Sequence, residues 1–197
     1  MIKVLITGSA HAGKSTLVEK IASLGYIVIS ESAQEVINEG ISLHGSYVVW
    51  NSWRSDLKNE RLFQESIAFR QISKEVLIDS SREGIVFLDR GIYDIYAYCQ
   101  LRTIEYPQII AKYEFRYDYV FLLETISFNP RLETGRVDSF EENQQVFTLI
   151  REIYSEKIGR CFFVPTYSNL LDGDQDISKC IDARINFIFS ILGINLI

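Results

Sequence analysis

Five short stretches of the chain consist almost entirely of apolar and β-branched residues. Within each stretch the apolar residues are nearly continuous and do not alternate with polar ones. This pattern is typical of strands that are covered on both faces of a parallel sheet. We therefore predict five strands, at residues 2–7, 26–30, 84–89, 117–123 and 161–165.

Segments with helical periodicity separate the predicted strands. Residues 15–25 form an amphipathic segment that directly follows the loop after the first strand. In residues 61–81, Phe69, Ile72 and Val76 have the i, i+3, i+7 spacing of one apolar helix face. The last predicted helix has its apolar face at Ile177, Ile181, Ile185, Ile188 and Leu192.

The helix between the fourth and fifth strands has clear end signals. Ser139 followed by Glu142 has the pattern of a capping box, and Gly159 closes the same segment. The alternation of strands and helices predicts an α/β fold, a three-layer sandwich with a mainly parallel sheet flanked by helices and right-handed crossovers. Since no linker or repeat interrupts it, we expect residues 1–197 to form a single domain.

Two stretches do not fit this alternation. Residues 40–62 are polar and aromatic and contain both tryptophans of the chain. Residues 125–138 contain Pro130, Gly135 and two arginines without strong periodicity. Long irregular excursions from compact domains are more often functional than accidental. We therefore expect an acceptor-side excursion at 40–62 and a lid at 125–138.

The loop after the first strand satisfies the phosphate-loop pattern G-x-x-x-x-G-K-[ST] in full, as GSAHAGKS. Its two glycines let the backbone wrap closely around a phosphate, and the N–H groups of the following helix N-terminus point at the anion. Lys14 is expected to reach the β- and γ-phosphates, and the Ser15 hydroxyl to ligate Mg²⁺. The predicted triphosphate-binding residues are Gly8, Ser9, Ala10, His11, Ala12, Gly13, Lys14, Ser15 and Thr16.

Acidic residues follow two other predicted strands, where ligands of a parallel sheet collect. Asp89 ends an apolar strand as a Walker B acid does, which predicts a Mg²⁺ ligand with the cation Arg90 beside it. Alternatively, Asp89 caps the next helix. Glu31 follows the second strand and either accepts a proton from an attacking hydroxyl or caps a helix.

Arg131 and Arg136 lie five residues apart in the predicted lid. Phosphoryl transfer spreads negative charge over the transferred oxygens, and arginines on a closing segment stabilise that charge. Solvated surface arginines are the alternative interpretation.

Three aromatic residues, Tyr47, Trp50 and Trp53, fall in the 40–62 stretch. Their large rigid faces could stack on a ring of the acceptor. A small satellite core beneath the excursion would use the same residues equally well.

The composition narrows the classes of partner. The 197 residues are 47% hydrophobic and 23% charged, which excludes a disordered chain. A formal net charge of −6 gives no bulk attraction to nucleic acid or an anionic membrane, so a bound anion needs a local site. The chain has no apolar stretch long enough to span a membrane and no zinc or disulfide pattern in its three cysteines, so we expect a cytoplasmic protein.

The segments GSAHAGKST, ISES, FLDRG and YVFLLE, with the arginine-bearing segment before SFEENQQ, resemble the small P-loop kinase branch of nucleoside and nucleotide kinases. More closely, the sequence is similar to the AAA-type ATPase domain family that includes the nicotinamide riboside kinase domain of NadR proteins. The resemblance implies that Glu31 acts as a base, that Asp89 and Arg90 handle Mg²⁺ and phosphate, and that residues 125–138 supply lid arginines.

These observations support two function hypotheses. The first is a phosphotransferase that moves the γ-phosphoryl group of Mg-ATP to a small metabolite, such as a nucleoside or a cofactor precursor. The second is a nucleotide-binding switch or regulatory ATPase or GTPase without a small-molecule acceptor. The arginine-bearing segment and the aromatic stretch favour the first. The sequence lacks an N/T-K-x-D tetrad for guanine, so we expect ATP rather than GTP. From the net charge we expect no nucleic-acid or membrane partner, and a homo-oligomer is compatible with the sequence.

Overall fold

A computed structural model describes residues 1–78, 84–113, 116–125, 139–158, 160–167 and 177–194. Within these ranges, five strands form one parallel sheet with the order β2-β3-β1-β4-β5. The predicted three-layer α/β fold is confirmed, and each observed strand lies within the stretch predicted for it. The strands are β1 (Ile2–Thr7), β2 (Ile27–Ile29), β3 (Ile85–Asp89), β4 (Tyr119–Leu123) and β5 (Cys161–Val164).

The register of the central strand β1 brings the carboxyl ends of its neighbours together. Ile6 of β1 is level with Asp89 of β3, and Thr7 is level with Leu122 of β4. The loops that follow these strands therefore meet at one edge of the sheet, which is where open parallel α/β proteins bind their ligands.

Helices cover both faces of the sheet. α1 (Lys14–Ser23) and α7 (Ile177–Leu192) pack on the face that contains Ile6, and the other helices pack on the face that contains Leu5. Adjacent residues of β1 thus enter two different apolar cores, which explains the continuous apolar sequence of the strands. The remaining elements are α2 (Ser32–His44), α3 (Tyr47–Arg54), α4 (Leu57–Ile78), a 3₁₀ helix (Gln108–Lys112), α5 (Asp94–Arg102) and α6 (Phe140–Lys157).

The prediction of an irregular excursion at residues 40–62 is wrong, because the segment is helical. α2 continues to His44, α3 occupies the centre of the segment, and α4 begins at Leu57. These helices pack on the face of the sheet that contains Leu5.

Polar side chains cap the two helices that begin in this segment. Ser46 Oγ accepts the Val49 amide at 3.3 Å, and Asp56 Oδ1 accepts the Lys58 amide at 2.9 Å. Such caps satisfy N–H groups that have no partner inside the helix. Because the helices are interrupted at these points, no single apolar periodicity runs through the segment, and the sequence pattern does not reveal the helices.

The apolar face predicted for α4 is also wrong in part. Ile72 is 4% exposed, but Phe69 is 64% and Val76 48% exposed. The buried face of the helix instead includes four polar residues, Glu60, Gln64, Gln71 and Glu75. The orientation of α4 is therefore set partly by polar contacts, which an apolar pattern does not report.

The last two helices agree better with the sequence. Ser139 Oγ accepts the Glu142 amide at 3.1 Å and the Glu142 carboxylate accepts the Ser139 amide at 2.7 Å, so the predicted capping box is present. Gly159 lies outside the described residues. In α7, Ile181, Ile185 and Ile188 are buried as predicted. None of the helices in the described ranges has the length and apolarity to cross a membrane.

The orientation of α4 can be tested with two substitutions three residues apart. Ile72→Ala is expected to lower the free energy of unfolding by about 2–5 kcal/mol, because it removes buried methyl groups. Phe69→Ala, on the exposed face, should change it by less than about 0.5 kcal/mol. Urea denaturation measures both values. A larger loss for Phe69→Ala than for Ile72→Ala would contradict the observed orientation.

Candidate active site

The phosphate loop connects β1 to α1 in a conformation that depends on its glycines. Gly8 has a φ of +140° and Gly13 a φ of +77°, both in the region that L side chains rarely adopt. A Cβ at Gly8 would also lie 2.5 Å from the Leu123 carbonyl oxygen. The loop thus packs directly against the end of β4, and its glycines are required by geometry as well as by the motif.

Lys14 is the first residue of α1 and is almost completely buried. Its Nζ donates to the Ser9 carbonyl at 2.6 Å, so the ammonium lies across the phosphate loop. A cation and the N–H groups of a helix N-terminus together form an anion-binding site. This geometry is the one that the phosphate-loop interpretation requires.

The remaining residues of the predicted loop have different environments. Ser9, Ala10 and Ala12 are buried, whereas Ser15 and Thr16 at the start of α1 are exposed. His11 has a φ of +60°. The loop therefore offers mainly backbone groups and the Lys14 and Ser15 side chains to a ligand.

Asp89 and Ser15 form a pair of oxygen ligands next to the loop. Ser15 Oγ donates to Asp89 Oδ2 at 3.0 Å. Asp89 Oδ1 is buried and has no hydrogen-bond partner among the described residues. Burial and the nearby Glu31 raise the pKa of Asp89 to about 6, against the opposing effects of Lys14 and Arg90.

This pair fits Mg²⁺ in its chemistry. A buried carboxylate oxygen without a partner is costly unless an ion or water takes its lone pairs. Hydroxyl and carboxylate oxygens are the ligands that Mg²⁺ prefers. Asp89 is the last residue of β3, and α5 begins only at Asp94, so the alternative role as a helix cap does not apply.

Arg90 is a buried cation that connects three parts of the site. Its Nε donates to Glu31 Oε1 at 2.7 Å, and its Nη1 donates to both the Gly8 carbonyl and Asp94 Oδ2 at 3.0 Å. Burial alone would lower the pKa of the guanidinium, but Tyr98, Glu31 and Asp94 outweigh burial and raise the pKa well above its ordinary value. Arg90 therefore fixes Glu31 beside the phosphate loop.

The backbone at Arg90 and Gly91 is tightly constrained. Arg90 has a φ of +69°, which is rare for a residue with a side chain. A Cβ at Gly91 would lie 2.7 Å from the hydroxyl oxygens of Tyr117 and Tyr154. Those hydroxyls are occupied, because Tyr117 accepts the Ile92 amide at 2.9 Å and Tyr154 donates to Asp94 at 2.8 Å. Glycine is therefore the residue that fits after Arg90.

Glu31 stands at the N-cap position of α2, but its side chain does not cap the helix. It is buried and accepts from Arg90 instead. The sequence left two roles open for Glu31, a base and a helix cap. The carboxylate contacts Arg90 and not the N-terminus of α2, so the geometry does not fit the helix cap.

A pocket of about 700 Å³, including its open mouth, lies between Glu31 and helices α2, α4 and α5. Ala10 of the phosphate loop forms part of its wall, and Phe63 and Ile67 of α4 form an apolar side. Its lining combines apolar side chains with a few polar and charged ones, which is typical of a small-molecule site.

Two polar chains hold the α4 side chains that line this pocket. Gln64 donates to Glu60 at 2.9 Å, and Glu60 in turn accepts from Arg54 at 2.9 Å. Gln71 accepts from Ser32 at 2.7 Å and donates to Glu75 at 2.8 Å. The sequence interpretation missed these residues. Their spacing along α4 places them on one face of the helix, and that spacing was a signal in the sequence.

Each arginine that lines the pocket is paired with carboxylate. Arg54 pairs with Glu60, and Arg102 pairs with Glu142 at 2.6 Å. Arg90 pairs with Glu31 and with Asp94. Three arginines thus stand against four carboxylates in this part of the described chain, and the pocket has no surplus of positive charge.

The tryptophans belong to the apolar core on the Leu5 face of the sheet and do not line the pocket. Trp50 is buried, stacks on Trp53 with ring centroids 5.0 Å apart, and meets Phe63 edge-on. The interpretation as packing residues therefore fits better than that of stacking on an acceptor. Tyr98 of α5 does line the pocket, with the Arg90 guanidinium 5.5 Å from its ring.

The predicted lid is represented only by Thr125. Pro130, Gly135, Arg131 and Arg136 lie outside the described residues. Thr125 Oγ1 lies 2.7 Å from Ser9 Oγ, so the first residue of the segment contacts the phosphate loop.

Comparison with known proteins agrees with this geometry. The model of a family described as an AAA domain matches residues 3–168. The chain belongs to the AAA-domain family. No curated protein sequence matches the chain significantly.

Solved structures of similar fold are small kinases. Deoxyadenosine kinase from M. mycoides, with dCMP and dCDP bound, has a TM-score of 0.63 at 18% identity, covering 96% of this chain and 100% of its own. Thymidylate kinase from Ehrlichia chaffeensis has a TM-score of 0.58 at 19% identity, covering 95% and 98%. Together with the family model, these comparisons confirm the predicted P-loop fold, which the chain shares with these small kinases.

The ion pairs of Arg90 should dominate the stability of this region. Arg90→Met leaves Glu31 and Asp94 buried without their cation, so we expect the free energy of unfolding to fall by about 3–5 kcal/mol. Arg160→Met, which removes an exposed arginine, is the control and should change it by less than about 0.5 kcal/mol. Urea denaturation would measure both, and similar losses would show that the Arg90 ion pairs contribute little.

Proposed function

We propose that this protein is a kinase that transfers the γ-phosphoryl group of Mg-ATP to a hydroxyl of a nucleoside-like acceptor without a phosphate group. The observation that carries the proposal is the position of Glu31. Its buried carboxylate lines a pocket of mixed polar and apolar lining and is held by Arg90, which also contacts the phosphate loop at Gly8. An acid placed between an acceptor pocket and a phosphate site is what phosphoryl transfer requires.

The triphosphate side uses the phosphate loop, Lys14 and the pair of Ser15 and Asp89. The loop N–H groups and Lys14 bind and orient the phosphates. Ser15 and Asp89 would hold Mg²⁺, which neutralises phosphate charge when it is bound. The mainly backbone nature of the loop explains why most of its residues need no particular side chain.

On the acceptor side, Glu31 is proposed to act as the general base. It takes the proton of the attacking hydroxyl while that oxygen forms a bond to the γ-phosphorus and the bond from the γ-phosphorus to the β,γ-bridging oxygen breaks. Arg90 orients Glu31 through a charged hydrogen bond.

The charge of the pocket supports an acceptor that carries no phosphate. A nucleotide acceptor brings a dianion, which usually requires arginines or lysines that are free to bind it. Here Arg54, Arg90 and Arg102 are already paired with carboxylates. The apolar wall at Phe63 and Ile67 suits a flat ring, and the Gln64 amide beside it suits the polar edge of such a ring.

Several features of the proposal stay predictions. Arg131 and Arg136 are proposed to stabilise the transferred phosphoryl group from a lid, and ATP is proposed as the donor in preference to GTP. A cytoplasmic location and a homo-oligomer are compatible with the sequence.

A transfer screen tests the acceptor class. The wild-type protein is incubated with Mg-ATP or Mg-GTP and with nucleosides, nucleoside-type cofactor precursors or the corresponding 5′-monophosphates, and products are separated by mass. We expect phosphorylation of at least one compound without a phosphate group and none of the monophosphates. Lys14→Ala is the matched inactive control. Phosphorylation of monophosphates alone would contradict the acceptor class, and hydrolysis that no acceptor stimulates would favour a regulatory NTPase.

The role of Glu31 makes a separate prediction. Glu31→Gln should lower the rate of transfer roughly 10²- to 10⁴-fold, because the base is lost while the side chain keeps its shape. The Kd for ATP should stay unchanged, since Glu31 faces the acceptor pocket. Glu19→Gln, on the exposed side of α1, is the control. If Glu31→Gln transfers phosphate at the wild-type rate, Glu31 is not the base.

A further inference from the structure

One buried side chain of α7 has no part in the function proposed above. Arg184 interrupts the apolar face of this helix between Ile181 and Ile185, and none of its surface is exposed. A guanidinium is costly to bury unless its N–H groups have hydrogen-bond acceptors. The interior of the protein must therefore supply them.

Arg184 donates to three main-chain carbonyls in three different loops. Nη1 donates to Ala12 of the phosphate loop at 2.6 Å. Nη2 donates to Glu124, directly after β4, at 2.7 Å, and Nε donates to Pro165, directly after β5, at 3.0 Å. All three loops lie at the carboxyl edge of the sheet. One side chain thus joins the segments that border the triphosphate site.

Further contacts brace the same loops. Glu124 Oε2 accepts the Thr166 amide at 2.9 Å, and Cys180 Sγ donates to the Thr166 carbonyl at 2.6 Å. Burial lowers the pKa of Arg184, and Cys180 and Glu124 oppose that effect. An arginine in such a setting keeps its charge at neutral pH.

The bond to Ala12 has a direct consequence for Gly13. A trans peptide is planar, so its C=O and N–H point in opposite directions, and the described chain contains no cis peptide. Since the Ala12 carbonyl points at the guanidinium, the Gly13 N–H points away from it, toward the opposite side of the loop. A cation at the carbonyl also polarises the peptide and makes this N–H a stronger donor.

We propose that Arg184 is a positioning residue for the nucleoside triphosphate. It fixes the Ala12–Gly13 peptide so that the Gly13 N–H is presented to a phosphate, and it holds the loops after β4 and β5 beside the phosphate loop. This inference rests on the triphosphate-binding part of the proposed function and is independent of the acceptor.

The experiment compares ADP binding by the wild-type protein and by Arg184→Lys and Arg184→Met, using calorimetric titration with Mg²⁺ at a temperature where each protein is folded. Lysine keeps the charge but has one nitrogen and no planar fork to reach three carbonyls. We expect the Kd for ADP to rise about 10- to 100-fold in both variants. Arg184→Lys decides the question if Arg184→Met does not fold.

A matched control separates positioning from general stability. Ile188→Ala removes another fully buried side chain of α7 and should lower the melting temperature while leaving the Kd for ADP unchanged. In the nucleotide-free protein, the Gly13 amide proton resonance should shift upfield in Arg184→Lys and stay in place in Ile188→Ala, because only the first substitution weakens the polarisation of that peptide.

The outcomes distinguish the two proposals. If the wild-type protein binds no ADP, both the proposed function and the role of Arg184 are wrong. If the wild-type protein binds ADP and both Arg184 variants bind it equally well, only the role of Arg184 is wrong. An equal rise of the Kd in Ile188→Ala would also contradict the role of Arg184, because general destabilisation would then explain the effect.

Discussion

The buried guanidinium of Arg90 is the interaction on which the candidate site depends. A cation at this depth must be paired, and Glu31 and Asp94 supply the two carboxylates. Each of these acids begins a helix or stands next to one, so the pairing fixes α2 and α5 relative to the end of β3. Its third contact, to the Gly8 carbonyl, ties this assembly to the phosphate loop. The pocket and the phosphate loop therefore share one buried network of ion pairs and hydrogen bonds, which suits the proposed transfer between two substrates.

The register of the parallel sheet brings the residues of this arrangement together. Because Ile6 is level with Asp89, the residues just after β1 and β3 are neighbours without any special loop. The positive φ of Arg90 then turns its side chain out of the strand direction. The ion pairs of Arg90, and the hydrogen bond from its amide to the Ile6 carbonyl, offset the backbone strain of this conformation. Function at this edge thus follows from register as much as from the identity of the residues.

The sequence predicted those features that have local or periodic causes. Continuous apolar runs marked all five strands, of which the three central ones, β1, β3 and β4, are buried on two faces. The capping box marked the start of α6 because its bonds are local. The phosphate loop was recognisable because its backbone geometry requires glycine at fixed positions. The polar face of α4 was not predicted, in part because Gln71 has partners far away in the sequence, Ser32 and the Arg90 carbonyl. The role of Arg184 was not predicted for the same reason, because nothing near it in the sequence shows that three distant carbonyls accept hydrogen bonds from it.

The contacts of the two buried arginines also fit the proposed use of one sheet edge by two ligands of different charge. Arg90 is neutralised by carboxylates, so it organises the acceptor side without making it attractive to a second phosphate. Arg184 donates to main-chain carbonyls, which are neutral and do not cancel its positive charge. That charge therefore adds to the field of Lys14 and the α1 N-terminus on the triphosphate side. The distinction lies in what each guanidinium is bonded to and not in the residue itself. The proposed function therefore assigns the polyanion to the side of Arg184 and the acceptor without phosphate to the side of Arg90.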